Sequence, residues 1–283
     1  MTLHLSKLHG TGNDFLVTVA LDGEPAPDAA VARALCNRNR GVGADGLITL
    51  RPGADGADCT MELRNADGGI AEMSGNGVRC LAWVAHREGL AHRDGLTVDT
   101  GGGRRAVRLE VVDGVVRAAT VDMGPVTFEP SQIPFTAPSA FDLEATFHGT
   151  TYRGDAAGVG NPHFVLLVDD IATARVTQHG PHLEVDERFP KHTNVEFVQV
   201  LDRTHLRMRV WERGVGETLS CGTGVCASAA VARRRDLIDE AVHVHVPGGT
   251  HTVTLGDTVV LGGEVQHVFD VDVDEHELVR RLT

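Results

Sequence analysis

Ser74 to Leu90 reads S-G-N-G-V-R-C-L-A-W-V-A-H-R-E-G-L, and Cys221 to Leu237 reads C-G-T-G-V-C-A-S-A-A-V-A-R-R-R-D-L. A displacement of 147 residues lays one on the other without a gap, and Gly75, Gly77, Val78, Ala82, Val84, Ala85, Arg87 and Leu90 each meet their own kind. The same displacement sets Arg64-Asn65-Ala66-Asp67 on Trp211-Glu212-Arg213-Gly214 and Gly101-Gly102 on Gly248-Gly249. One residue more sets Gly10-Thr11-Gly12-Asn13 on Gly158-Val159-Gly160-Asn161. Solenoid repeats run to roughly 20–50 residues, so a period of about half the chain indicates a duplicated domain. Two similar lobes are expected, facing each other.

Each lobe reads as strands around one helix. Apolar and polar residues alternate on both sides of Asp113-Gly114 and of Gly256-Asp257, a hairpin pattern. Val78 to Ala85 and Val225 to Ala232 are too apolar to keep a polar face, so as helices they must be buried nearly all round. Their alanines and glycines let a sheet approach closely. The fold class expected is α+β, with two pseudo-symmetric lobes, each a β-sheet or barrel wrapped around a central α-helix. Residues 1–126 form the N-terminal lobe, completed by 266–283, and 127–265 form the C-terminal lobe. Further helices are expected at Asp28 to Asn37 and Asp274 to Leu282, and the Pro-rich stretch Glu129 to Pro138 is the expected connection between the repeats.

Composition narrows the classes of partner. A net charge of -13 disfavours a nucleic-acid or anionic-membrane surface, which needs a basic face, and leaves a small molecule as the expected partner. The five cysteines are odd in number and lack C-x-x-C spacing, which points to free thiols rather than a zinc site. There is no apolar run of spanning length and the N-terminal residues lack signal-peptide features, so a cytoplasmic location is expected.

Ser74 and Cys221 each stand before a Gly-x-Gly that opens an apolar helix. Unpaired N–H groups and the positive end of the dipole project there, which suits a carboxylate and lowers a cysteine pKa. Two such ends meeting at one point would grip a carboxylate from both sides and place Ser74 and Cys221 on opposite faces of its carbon. That geometry suits removal of a proton from one face and its return on the other, the task of a racemase or epimerase. Backbone N–H groups would stabilise the carbanion as charge develops, so no metal or pyridoxal cofactor is demanded. Taken singly, each motif is also a plain helix cap; the duplication is what favours a site.

Several stretches resemble the diaminopimelate epimerase family: K-L-H-G-T-G-N-D-F (Lys7 to Phe15), R-N-A-D-G (Arg64 to Gly68), A-E-M-S-G-N-G-V-R-C (Ala71 to Cys80), G-N-P-H-F-V (Gly160 to Val165), N-V-E-F (Asn194 to Phe197) and W-E-R-G-V-G-E-T-L-S-C-G-T-G (Trp211 to Gly224). The resemblance implies interconversion of L,L- and meso-2,6-diaminopimelate on the route to lysine and peptidoglycan, without a cofactor. It makes Cys221 one catalytic acid/base and Ser74 the other position, with His163 and Glu212 assisting. It assigns Asn13, Asn65, Asn161, Asn194, Glu212 and Arg213 to the substrate's amino and carboxylate groups, and Gly75, Asn76, Gly222 and Thr223 to helix-start contacts. A homodimer is expected on the same ground.

The resemblance implies cysteine where Ser74 stands, and a hydroxyl is a far weaker acid than a thiol. Exchange on the Cys221 face should survive; the opposite face is where activity would fail. A second departure is Gly46, where some members carry a longer polar side chain. The alternative readings are a racemase of another amino acid, such as proline or histidine, and a catalytically silent ligand binder, for which Ser74 is the only support.

Overall fold

The computed structural model describes residues 2–92 and 95–282. In chain order the elements are β1 (Thr2–Gly10), β2 (Asn13–Val19), α1 (Ala29–Cys36), β3 (Gly46–Pro52), β4 (Cys59–Asn65), β5 (Ile70–Ala71), α2 (Gly75–Arg87), β6 (Leu96–Thr100), β7 (Gly103–Val112), β8 (Val115–Asp122), β9 (Leu143–Phe147) and β10 (Thr150–Gly158). They continue with β11 (Pro162–Leu167), α3 (Val176–Glu184), β12 (Asn194–Asp202), β13 (His205–Glu212), β14 (Gly216–Thr218), α4 (Gly222–Arg234), β15 (Ala241–Val246), β16 (Gly249–Leu255), β17 (Val259–Glu264), β18 (Gln266–Asp274) and α5 (Glu275–Leu282). The chain divides into two compact units, Met1–Val121 with Gly263–Thr283, and Asp122–Gly262.

The two units repeat one strand pattern. In the first, β1 and β2 pair antiparallel, β2 and β3 parallel, β3 and β4 antiparallel, β4 and β6 parallel, and β6 and β7 antiparallel. In the second, the same alternation runs through β10, β11, β12, β13, β15 and β16. Parallel neighbours cannot be joined by a tight turn and need a crossover of a dozen or more residues. Helices α1 and α3 lie in the first crossover of their units, α2 and α4 in the second. Within the first unit β18 adds to the free side of β1 and β8 to β7; within the second, β9 adds to β10. The β7–β8 hairpin turns at Asp113 and Gly114, both with positive φ (52° and 76°), as a two-residue hairpin loop requires.

The second helix of each unit is its core. Val78, Cys80, Leu81, Ala82, Val84 and Ala85 of α2 are fully buried, and so are Val225, Cys226, Ala227, Ala229, Val231 and Ala232 of α4. Helix α2 packs on β1, β2, β3, β4 and β7, and α4 on β10, β11, β12, β13, β15 and β16. A helix enclosed this way has no solvent face, which is why Val78 to Ala85 carries one charged residue, Arg79, and that one is buried. Helix α1 begins at its N-cap Asp28, whose carboxylate accepts from the Ala30 and Val31 amides at 2.8 and 3.0 Å. Leu278 and Val279 of α5 pack with Val31, Leu35 and Leu5 in the first unit.

One expectation needs correction, and one helix was not expected. Glu129 to Pro138 is not a free connection: Ile133 and Phe135 are buried in the core of the second unit with Phe189 and Phe164. Helix α3 is absent from the sequence reading because V-T-Q-H-G-P-H-L-E carries Gly180 and Pro181 in its interior. Packing overrides propensity here, since a Cβ on Gly180 would stand 2.6 Å from Trp211, whose indole N–H donates to Glu184 at 2.7 Å. Among the described residues no helix is long and apolar enough to cross a membrane.

Candidate active site

In the first unit Ser74 is the N-cap of α2, with extended backbone (φ -145°, ψ 120°), and its Oγ accepts from the Gly77 amide at 3.0 Å. Asn76, in the first turn, donates through Nδ2 to Asn13 Oδ1 at 3.1 Å, and Asn13 donates to Asp45 Oδ2 at 2.7 Å. Arg79, fully buried one turn along, donates to Asn76 Oδ1 at 2.6 Å. A guanidinium only donates and a carboxylate only accepts, so Arg79 and Asp45 fix which way the two amides between them point. Gly10 and Gly263 make room for Arg79, since a Cβ there would stand 3.0 and 2.6 Å from its guanidinium.

Arg38 braces this network by donating to both Asp14 and Asp45 at 2.6 Å, and Lys7 donates to Asp14 and to the Gly43 carbonyl. Burial pushes the Asp14 carboxyl up, but the hydrogen bonds from Arg38 and Lys7 outweigh it and hold it down at about 2. Asp45 is pushed up by burial and by the charge of Asp14. Asn65 stands at the exposed end of β4, in the turn closed by the Asn65 amide donating to Gly69 at 2.8 Å.

In the second unit Cys221 is the N-cap of α4, with closely similar backbone (φ -126°, ψ 109°), and its Sγ lies 3.5 Å from Thr223 Oγ1. Thr223 accepts from Asn161 Nδ2 at 3.4 Å; Asn161 Oδ1 lies 2.9 Å from His163 Nε2, and His163 Nδ1 lies 2.7 Å from Glu196 Oε1. His163 and Glu196 are fully buried. Glu212, at the end of β13, accepts from Thr218, and its negative charge acts on the Cys221 thiol. Asn194 is held at both ends, with Oδ1 accepting from the Arg213 amide at 2.9 Å and Nδ2 donating to the Pro162 carbonyl at 3.1 Å. The exposed Arg213 side chain donates to the Lys191 carbonyl at 3.2 Å.

The sulfur is not the depressed thiol that a helix start alone would give. Burial, then the negative charges of Glu212 and Glu196, push the Cys221 thiol well up, against hydrogen bonds from Thr223 and the Gly224 amide that pull it down. Glu212 is itself pushed up by burial. Cys36, Cys59 and Cys80 are free, buried and pushed up to about 12 by burial. They are core side chains. Among the described residues no group of three or more His, Cys, Asp or Glu side chains could hold a metal ion.

The first unit thus gathers Ser74, Gly75, Asn76 and Asn13, and the second gathers Cys221, Gly222, Thr223, Asn161, His163 and Glu212, with Asn194 tying Arg213 to Pro162. Sequence reasoning passed over Asp45, Arg79 and Glu196. Each carried a visible signal: Arg79 is a cation inside an apolar helix, Glu196 a carboxylate inside the apolar run N-V-E-F, and Asp45 an acid in the short run G-A-D-G.

A solved hydroxyproline epimerase from Agrobacterium vitis, with bound trans-4-hydroxy-L-proline, has the same fold, with a TM-score of 0.74 at 18% identity over 96% of this chain and 92% of that one. The architecture is therefore one that this chain shares with that solved structure. The diaminopimelate epimerase family model matches residues 5–129 and 156–268. The diaminopimelate epimerase of Moorella thermoacetica is 43% identical over 250 residues, 87% of this chain and 89% of that protein. That of Thioalkalivibrio sulfidiphilus is 41% identical over 284 residues, 97% of this chain and 100% of that protein. The chain belongs to the diaminopimelate epimerase family, whose members are isomerases.

Proposed function

We infer that this chain epimerises diaminopimelate, converting the L,L isomer to the meso isomer and back by moving a proton across one Cα. The observation that carries the reading is family membership along almost the whole chain, with an acid/base candidate at the same helix-start position of each repeated unit. Cys221 in its thiolate form takes the Cα proton from one face, and the electron pair left on Cα spreads into the adjoining carboxylate. Backbone amides at a helix start donate to that carboxylate as its charge grows. The Ser74 hydroxyl delivers a proton to the opposite face and takes one back from solvent.

Glu212 supports the thiolate by accepting the thiol proton, and burial pushes both groups up. Asn13, Asn76, Asn161 and Thr223 supply directed polar contacts to the reacting amino acid, and Asn65, Asn194 and Arg213 to the distal one. Arg213 suits a distal carboxylate because a guanidinium can donate two parallel hydrogen bonds to it.

Incubation of L,L-diaminopimelate with the protein, followed by chromatographic separation of the stereoisomers, tests the reading. The meso isomer should accumulate with the native protein and not with Cys221→Ala. Ligand binding with no meso isomer would instead support the silent binder that Ser74 suggests. Inversion of proline or histidine, and not of diaminopimelate, would move the chain to another substrate.

A further inference from the structure

The duplication provides an internal control on the buried pair His163 and Glu196. His163 and Glu196 lie on the parallel strands β11 and β12, where His163 pairs with Asn194 and Val165 with Glu196. In the first unit the parallel strands β2 and β3 carry Phe15, paired with Gly46, and Ile48, paired with Val17, at the same places. The helix-start glycines agree: a Cβ on Gly224 would stand 2.6 Å from Glu196 Oε1, and one on Gly77 would stand 3.2 Å from Ile48 Cδ1. One scaffold therefore accepts Phe with Ile in one copy and His with Glu in the other.

The fold does not need the charged pair. Replacing a buried ion pair by apolar side chains of similar size is often neutral or stabilising, so an apolar twin at the same place argues that His and Glu are kept for another purpose. Glu196 Oε2 adds to this, being buried with no hydrogen-bond partner among the described residues, a cost that packing alone does not repay.

We propose that Glu196 is a positioning residue that sets the direction of the hydrogen-bond chain His163–Asn161–Thr223 ending on Cys221. His163 Nδ1 faces Glu196 Oε1 at 2.7 Å and Nε2 faces Asn161 Oδ1 at 2.9 Å, so each ring nitrogen has an oxygen to donate to, and the proposed direction requires both to carry hydrogen. Asn161, accepting through its carbonyl, turns its amide nitrogen to Thr223 Oγ1 at 3.4 Å. The Thr223 hydroxyl hydrogen is then left to donate to Cys221 Sγ, 3.5 Å away. A donor at that place stabilises the thiolate that takes the Cα proton. In the first unit the donors run the opposite way, from Arg79 through Asn76 and Asn13 to Asp45. Without the carboxylate, His163 keeps one hydrogen and presents a lone pair to Asn161; the amide turns over, and Thr223 donates to Asn161 in place of the sulfur.

The inference rests on the reading of Cys221 as an acid/base, and its test is separable from that reading. Nitrogen-15 spectra of the full-length protein with labelled histidine, with His163 assigned by its loss in His163→Gln, report the protonation of each ring nitrogen whether or not substrate turns over. Two protonated nitrogens in the native protein and one in Glu196→Gln are expected. A neutral imidazole in the native protein would overturn the proposal. The second readout is exchange of Cα hydrogen for deuterium from solvent, in diaminopimelate, at the Cys221 face. Loss of one hydrogen bond to a charged sulfur should slow it by roughly ten- to a hundredfold in Glu196→Gln, with KM little changed. An unchanged exchange rate in a variant with native melting behaviour would also overturn it. If the native protein exchanges no hydrogen at all, the functional reading fails and the histidine spectra alone decide the inference.

Discussion

Gly224→Ala and Gly77→Ala place the same methyl group at the same turn of twin helices and should have unequal effects. Any gain from replacing a helical glycine, up to about 1 kcal/mol, is common to both and cancels. At Gly224 the new Cβ would stand 2.6 Å from Glu196 Oε1 and 3.2 Å from its Cδ and Cγ. That carboxylate is fully buried and bonded to His163, so its retreat breaks a charge-assisted hydrogen bond worth about 1.5–3 kcal/mol. Overpacking adds about 1–3 kcal/mol. At Gly77 the nearest atoms are the Ile48 end methyl and the Ser74 side chain, at 3.2–3.3 Å. A few tenths of an ångström of adjustment suffices there. The expected difference is about 2.5–6 kcal/mol, the sum of those two costs, or roughly 5–20 °C between the two melting temperatures. Differential scanning calorimetry of both variants measures it. Equal melting temperatures, or a lower one for Gly77→Ala, would refute the reasoning.

Three further outcomes follow from the same geometry. Ser74→Ala removes the hydroxyl that caps Gly77 and should cost about 1 kcal/mol in urea unfolding, whereas Ser74→Gly should cost only a few tenths. Arg235→Leu leaves the fully buried Asp155 without the guanidinium that bonds it at 2.6 and 2.8 Å; the loss should be about 3–5 kcal/mol, with Asp155→Asn in the same chain recovering part of it. For pH, the buried thiols Cys36, Cys59 and Cys80 titrate at about 12 in the folded protein against an ordinary 9.0. The folded state therefore holds those protons longer than the unfolded chain, so this contribution is complete below pH 9.0 and is lost as pH rises toward 12. Cys80→Ala should flatten the fall of melting temperature with alkaline pH. Asp14 runs the other way: its folded pKa of about 2 lies below 3.8, so its contribution is lost as pH falls through that interval.

The parts of this fold that announced themselves were those where local pattern and packing agree. Val78 to Ala85 and Val225 to Ala232 are apolar on every side because a sheet encloses them, and Asp113-Gly114 is a hairpin because both residues need positive φ. Helix α3 was illegible because its reason is tertiary: Gly180 exists for Trp211, which lies thirty-one positions along the chain (211 less 180), and no local window joins them. Ile133 and Phe135 were read as connection because prolines around them mask two core side chains. At the site, residues standing beside glycines at helix starts were legible. Those acting from neighbouring strands, Glu196 and Asp45, were not, since their meaning lies in a hydrogen bond to His163 and to Asn13 that only the parallel crossovers create. Gly46 has a local reason, for a Cβ there would stand 2.8 Å from the Arg64 carbonyl and 3.2 Å from the Phe15 ring.

Whether a serine and a cysteine together invert an amino-acid centre is the central claim, and the fate of the Cα hydrogen tests it most directly. L,L-diaminopimelate in deuterated water, followed by proton NMR with the native protein and with Ser74→Cys, reports hydrogen loss and inversion together. The expected result is meso product carrying deuterium at the inverted centre with the native protein, and faster inversion with Ser74→Cys because a thiol gives up its proton more readily than a hydroxyl. Loss of Cα hydrogen from neither protein would contradict the account, for then Cys221 is not the base that opens the reaction.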